Sequence, residues 1–185
     1  MDDEKIIELF FARSEQAISE LDKKYGPTCR RLSGNILNNP QDAEECVNDA
    51  YLGTWNAIQP ERPNPLLAFL CKIVRHLSVK RYHANTAMRR NSAYDVALDE
   101  LESTLASQAS VEDELDARSL AGMIDTFLDA LSEENRVIFM RRYWYSDTYA
   151  EIAERVGLNE KTVSVRLTRA RKQLREFLIE KEVLT

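Results

Sequence analysis

Apolar positions along this chain recur at helical spacing, and no segment shows the two-residue alternation of a half-buried strand, so the pattern predicts an all-α protein. Phe10, Ala17, Leu21 and Tyr25 mark one side of a first helix over about Asp3–Tyr25, which Gly26-Pro27 is expected to end. Cys29, Leu32 and Ile36 face inward on a second helix. Asn39-Pro40-Gln41-Asp42 reads as a helix start, with Asn39 as cap and Pro40 in the first turn, where a missing N–H costs nothing. The third helix should reach about Ile58 and bury Val47, Tyr51, Thr54 and Ile58. Gln59–Pro65 holds three of the five prolines and forms a restricted loop. A fourth helix follows, with Leu67, Leu70, Cys71, Val74 and Leu77 as its apolar stripe and Lys72, Arg75, Lys80 and Arg81 off it, and the periodicity fades after Tyr82.

Residues 91–117 are Ser/Ala-containing and weakly periodic, which predicts an acidic linker with little fixed structure between a domain at 1–90 and another at 118–185. In the second domain Leu120, Ile124, Phe127, Leu128 and Leu131 mark a helix, and Ser132 caps the next, which carries Val137, Ile138 and Tyr143. Thr148-Tyr149-Ala150-Glu151 is a capping box, since the Thr hydroxyl and the Glu carboxylate can each satisfy the other residue's N–H. That helix runs through Ile152 and Ala153 to Val156, Gly157 closes it, and Asn159 caps a long final helix. Helix, three-residue turn and helix in this order predict a DNA-binding helix-turn-helix.

Charge sharpens this division. The net charge of −6 taken alone speaks against nucleic-acid binding, but the average hides blocks of opposite sign. Residues 1–61 hold 6 bases against 12 acids, and residues 62–90 hold 7 against none. Residues 91–117 hold 8 acids and no base, whereas 136–185 hold 11 bases against 7 acids. Different surfaces are therefore expected to meet different partners.

On the final helix Val163, Leu167, Ala170 and Leu174 share the core-facing side. Lys161, Val165, Thr168 and Lys172 stand opposite, flanked by Ser164, Arg169 and Arg175, with Arg166 and Arg171 at the edges. A basic face interspersed with short side chains suits the major groove, where Arg and Lys pair with phosphates or guanine and small residues let the backbone approach. The candidate contacts are Lys161, Ser164, Val165, Arg166, Thr168, Arg169 and Lys172. The 62–90 block, with Tyr82 and the upstream Trp55 and Phe69, suits unpaired nucleic acid, although Trp55 and Phe69 also read as core residues.

These residues resemble the sigma-seventy family of RNA polymerase specificity subunits. Asp42 to Trp55, Asp-Ala-Glu-Glu-Cys-Val-Asn-Asp-Ala-Tyr-Leu-Gly-Thr-Trp, is similar to the helix that grips the clamp helices of the polymerase β′ subunit. The resemblance implies Asp42, Glu45, Asn48, Asp49 and Leu52 as polymerase contacts. Leu66 to Arg75 resembles the helix that holds the melted minus-ten element, implying Arg62, Lys72, Arg75, His76, Lys80 and Arg81 there. In the family, the loop corresponding to Gln59–Pro65 surrounds an extruded base, whose extraction protein contacts must offset. Tyr149-Ala150-Glu151-Ile152-Ala153, Thr162-Val163 and Arg169-Ala170-Arg171 are similar to the C-terminal domain, a helix-turn-helix of winged-helix-like, sigma region-four type that reads the minus-thirty-five element. Because 91–117 is too short for a middle domain, the likeness is to the two-domain extracytoplasmic-function group. Where the family commonly has Arg-Asn-Leu and then Asp and Arg, this chain has Arg75-His76-Leu77 and then Lys80 and His83, which leaves the minus-ten readout open. Core polymerase, through the β′ clamp helices and the β flap, and promoter DNA are the implied partners, with an anti-sigma factor as a further candidate.

Other classes fit less well. Charged opening residues and the lack of a long apolar run predict a cytoplasmic protein with no signal peptide and no membrane insertion. Cys29, Cys46 and Cys71 lack a CxxC pair and are expected as buried free thiols. His76 and His83 find no partners at metal-ligand spacing and no Gly-rich phosphate loop is present, so neither catalysis, metal nor cofactor is expected. A regulator with an unrelated sensory domain is the main rival; it would bind an operator on its own and ignore core polymerase.

Overall fold

Residues 1–85, 92–105 and 117–184 are described by a computed structural model, and every regular element among them is an α-helix. The chain divides into two units, Met1–Asp95 and Val96–Thr185.

In the first unit α2 (Gln16–Leu37), α3 (Pro40–Ala57) and α4 (Leu66–Ala84) pack against one another, and α1 (Asp3–Phe11) lies against α2. Ile6, Phe10, Leu21, Leu32, Ile36, Val47, Ile58, Leu66 and Leu70 are the largest side chains buried in this core. Asn39 caps α3 as expected, its side chain accepting the N–H groups of Gln41 and Asp42 at 3.0 and 3.3 Å. Gly53 lets α3 and α4 approach closely: a Cβ there would stand 3.2 Å from Ile73 Cγ2.

The single helix expected over Asp3–Tyr25 is in fact two. The chain turns at Arg13, whose φ of 53° is held by distant partners. Its guanidinium donates to Trp55 O at 2.9 Å and Gln59 Oε1 at 3.1 Å, and lies over the Trp55 ring. Conversely, Gly26-Pro27 does not end a helix but sits inside α2. An internal proline costs about 3 kcal/mol. Burying Leu21, Cys29, Leu32 and Ile36 on either side of it contributes about 1.5–3 kcal/mol for each large side chain, so packing outweighs the break.

Residues 93–105, expected to lack fixed structure, form α5 (Ala93–Leu105). Ser92 and Asp95 satisfy each other's N–H groups at 3.0 Å in a capping box. Residues 106–116 lie outside the described region, as do Arg89 and Arg90 of the basic block.

The second unit contains α6 (Ala117–Ala130), α7 (Glu133–Tyr143), α8 (Tyr149–Val156) and α9 (Glu160–Glu180), with α7, α8 and α9 in mutual contact. One apolar cluster joins Ile138, Ile152, Ala153, Val163 and Leu167. Another joins Phe127, Phe139, Ala170, Leu174 and Leu178, with Leu101 and Leu105 packed against it. Thus α9 carries a continuous inward stripe shared by both clusters. The Thr148–Glu151 capping box is formed, and Gly157 closes α8 at a φ of 69°. Asn159 Oδ1 accepts the N–H of Thr162 at 2.8 Å and starts α9 three residues beyond the end of α8.

Candidate nucleic-acid interface

On α3 the buried positions Ala43, Cys46, Val47, Ala50, Tyr51 and Thr54 turn the other side outward, leaving Glu45, Asn48, Asp49 and Leu52 exposed at spacings of three and four. Leu52 is 58% exposed, a large apolar side chain within a polar helix face. Asp42, one turn earlier, is drawn inward, where Arg81 Nη1 lies at 3.2 Å and Asn85 Nδ2 donates at 2.9 Å. Arg81 also pairs with Glu45 at 3.1 Å. Three residues expected on two different interfaces therefore hold one another: Arg81 ties α4 to the acidic start of α3.

The basic block on α4 is likewise divided. Lys72, His76 and Lys80 are exposed and fall four residues apart, so they form one outward stripe. Arg75 is half-buried with its guanidinium over the Tyr94 ring at 5.6 Å, and burial lowers its pKa. Tyr82 packs edge-on against Tyr94 and donates its hydroxyl to Asp95. Arg62 pairs with Glu8 and covers Phe11, the guanidinium carbon standing 4.5 Å from the ring centre. Trp55 and Phe69 are both half-buried, with Trp55 packed edge-on against Phe10. Cys29, Cys46 and Cys71 are buried and form no disulfide, as their sequence setting implies; the hydrogen bond with Cys71 and burial push the Cys29 thiol up, and burial pushes the Cys46 thiol up, which keeps both protonated.

In the second unit Lys161, Val165, Thr168, Arg169 and Lys172 are exposed along α9, opposite the buried Val163, Leu167, Ala170 and Leu174. Lys161 and Arg169 form no ion pair with any described residue, whereas Lys172 lies 3.7 Å from Glu176. Arg166 is drawn to Glu134 at the start of α7, and Ser164 is half-buried. The outward face is consequently narrower than the sequence pattern implies and centres on Lys161, Val165, Thr168, Arg169 and Lys172.

Glu100 of α5 is the residue that sequence reasoning missed. Arg142 forks onto its carboxylate through Nε at 3.1 Å and Nη2 at 2.8 Å. Tyr149 and Tyr143 donate their hydroxyls at 2.9 and 3.2 Å, and Arg171 Nη1 reaches it at 3.3 Å. A signal was present in the Ser92–Asp95 box and in the helical spacing of Tyr94, Ala97, Leu101 and Leu105, outweighed by the stretch's acidic composition. Burial would raise the Glu100 pKa, but the hydrogen bond and charge of Arg142, with Tyr149 and Arg171, hold it below the ordinary glutamate value. Because the folded form favours the carboxylate, Glu100 contributes stability above the ordinary glutamate range that disappears as pH falls through the lowered folded value. Melting temperatures followed by circular dichroism should therefore drop on acidification, and Glu100→Gln should flatten that dependence.

An acidic helix face, an exposed basic stripe and a capped helix-turn-helix with a basic outer face define a helical DNA-binding protein that also docks a protein partner. Comparison with known proteins narrows the class. The model described as Sigma-70 region 2 matches residues 21–88, and that described as Sigma-70, region 4 matches residues 121–174. The ECF RNA polymerase sigma factor SigK of Mycobacterium ulcerans is 27% identical over 161 residues, 83% of each chain. The ECF RNA polymerase sigma factor SigL of Mycobacterium tuberculosis is 26% identical over 152 residues, 81% of this chain and 80% of the relative. A solved structure of CnrH in complex with the cytosolic domain of CnrY aligns over 97% of this chain and 99% of that one at 19% identity, with a TM-score of 0.43, a likeness too loose to bear on the reading. The chain belongs to the sigma-70 family, in its extracytoplasmic-function group, and directs promoter-specific transcription initiation. Core RNA polymerase and promoter DNA are thus its partners, and no described helix is long and apolar enough to cross a membrane.

Proposed function

We propose that the work of this sigma factor is divided among three surfaces. Glu45, Asn48, Asp49 and Leu52 of α3 dock on the β′ clamp helices of core polymerase; Asp42 acts behind them by fixing the start of α3. The observation that carries this is Leu52, a large apolar side chain left 58% exposed among acids and amides on a helix whose Val47 and Tyr51 are buried. An apolar anchor rimmed by polar groups is the composition of an interface hot spot. Lys72, His76 and Lys80 hold the melted minus-ten strand, supported by their exposure in one stripe. Arg75 and Arg81 support that stripe from within the unit, in keeping with their packing on Tyr94 and the α3 acids, while Arg62, exposed beside Glu8 and Phe11, offers the strand a further cation. In the second unit α9 enters the minus-thirty-five major groove through Lys161, Ser164, Val165, Thr168, Arg169 and Lys172, with Arg166 steadied by Glu134 at the rim.

The polymerase-binding and minus-ten work falls to the domain over 1–90 and the minus-thirty-five work to that over 118–185, with the acidic stretch 91–117 between them contributing α5, whose residues from Val96 onward belong to the second unit. The protein acts in the cytoplasm without catalysing a reaction of its own. The β flap is the contact of the second unit, and an anti-sigma factor that regulates the protein would compete for these same polymerase-facing surfaces.

Arg169→Ala is expected to weaken holoenzyme binding to its promoter by about 1–3 kcal/mol if the guanidinium reads a base. Fluorescence anisotropy with labelled promoter measures this, while pull-down of core polymerase should remain at the wild-type level. Unchanged promoter affinity would remove Arg169 from the interface. The exposed pair Lys172–Glu176 has little structural worth, so Glu176→Ala should leave stability within about 0.5 kcal/mol of wild type.

A further inference from the structure

The end of α1 and the loop that leads into α4 are locked together by one arginine and one amide. Arg13 donates through Nη1 to Trp55 O at 2.9 Å and through Nη2 to Gln59 Oε1 at 3.1 Å, and Gln59 Nε2 donates to Phe11 O at 3.2 Å. Both ends of the Gln59 amide are thus satisfied across the junction. Trp55 lies in the last turn of α3, where backbone carbonyls lack partners within the helix, so the guanidinium also caps that helix with the charge its dipole favours. Further along the loop Arg62 pairs with Glu8 and lies over Phe11, both of α1. The backbone at Arg13 takes a φ of 53°, which glycine adopts at lower cost than arginine. What the guanidinium holds therefore accounts for this residue better than the turn itself does.

We propose that Arg13 and Gln59 are positioning residues for the melted strand: they fix loop 59–65 as a continuation of the α4 stripe, so that the strand meets a surface already formed. The stripe of Lys72, His76 and Lys80 runs on, at spacings of three and four, through the exposed Ala68 to the exposed Pro65 at the end of the loop. A strand lying along it reaches the segment that carries Arg62. Ala68 presents only a methyl group there, which lets the strand come close. The Arg62–Glu8 pair is exposed at 53% and 57%, so it has little worth of its own and a phosphate can take the carboxylate's place. Fixing the loop beforehand removes the entropic cost of ordering it in the complex, which is how a preformed surface binds more tightly.

This inference rests on the reading of α4 as the helix that holds the melted strand, and the experiment separates the two. Holoenzyme reconstituted with the full-length chain is bound to a fork-shaped promoter DNA, taken from a mapped transcript start, whose minus-ten segment is single-stranded. One phosphate of that strand at a time is made neutral as a methylphosphonate. Linkages that meet the loop are those whose neutralisation weakens wild type but not Arg62→Ala, and Lys72→Ala defines in the same way those that meet the stripe. Each should cost wild type about fivefold at about 0.1 M salt, the effect of one contact on a log–log slope of roughly 0.7. Arg13→Gly, which suits the turn and removes the latch, should erase the cost of the loop linkages and keep that of the stripe linkages. Gln59→Ala should do the same from the other side of the junction, and it carries the test if Arg13→Gly does not fold. A merely structural role would weaken binding overall and leave the cost of every linkage in place. That outcome, wild-type binding by both latch variants, or an Arg62→Ala chain that erases no linkage overturns the proposal while leaving α4 as the strand holder. A Lys72→Ala chain that erases no linkage would overturn the reading of α4 and this inference with it.

Discussion

Leu52→Arg is expected to weaken binding to core RNA polymerase by roughly thirtyfold or more, the effect of losing a hot-spot side chain worth about 2 kcal/mol. Leu52 contributes little to the fold, because it stands 58% exposed on the outward face of α3 while Val47, Ala50, Tyr51 and Thr54 fill the core. Its replacement should leave thermal unfolding within about 0.5 kcal/mol of wild type. The contrast between lost binding and kept stability identifies a contact surface. A titration of labelled polymerase that gives the wild-type dissociation constant would remove Leu52 from the interface. Charge reversal at Asp49, one turn away, should act in the same direction through the acidic rim.

The opposite pattern is expected of Leu167→Ala. Leu167 is fully buried beneath the exposed face of α9, in the cluster of Ile138, Ile152, Ala153 and Val163. Truncating a buried leucine costs about 2–5 kcal/mol, since both transfer energy and a residual cavity count against the folded state. That is a large part of the roughly 5–15 kcal/mol typical of a whole domain. Urea unfolding by circular dichroism should show a clearly lower midpoint. Transcription should then fall more steeply with temperature than that of Arg169→Ala, whose side chain points to solvent. An unchanged midpoint would contradict the packing of α9 on α7 and α8.

What could be read in the chain before its structure follows from the range of the forces involved. Asn39, Ser132, the Thr148–Glu151 box and Asn159 were legible as caps because a cap is satisfied within three residues. The inward stripe of α9 was legible because its period reports one face. By contrast, the break between α1 and α2 depends on Arg13 reaching Trp55 and Gln59, 42 and 46 residues away, and no local pattern announces that. Pro27 misled for the same reason, since the packing that overrides it comes from α3 and α4. Composition also concealed the site around Glu100, one of 8 acids in a stretch without a base. The division of the basic residues into an exposed stripe of Lys72, His76 and Lys80 and the inward-tied Arg75 and Arg81 needed side-chain partners that sequence spacing does not name.

Reconstitution tests most directly that this chain is a promoter-specificity subunit. Purified protein is added to core RNA polymerase, transcription is run on genomic DNA, and transcript starts are mapped with and without the chain. New starts are expected at a defined set of sites sharing elements at both promoter positions, lost with Leu52→Arg and reduced with Arg169→Ala. Starts identical to those of core polymerase alone, or repression at an operator bound by the free protein, would contradict that role.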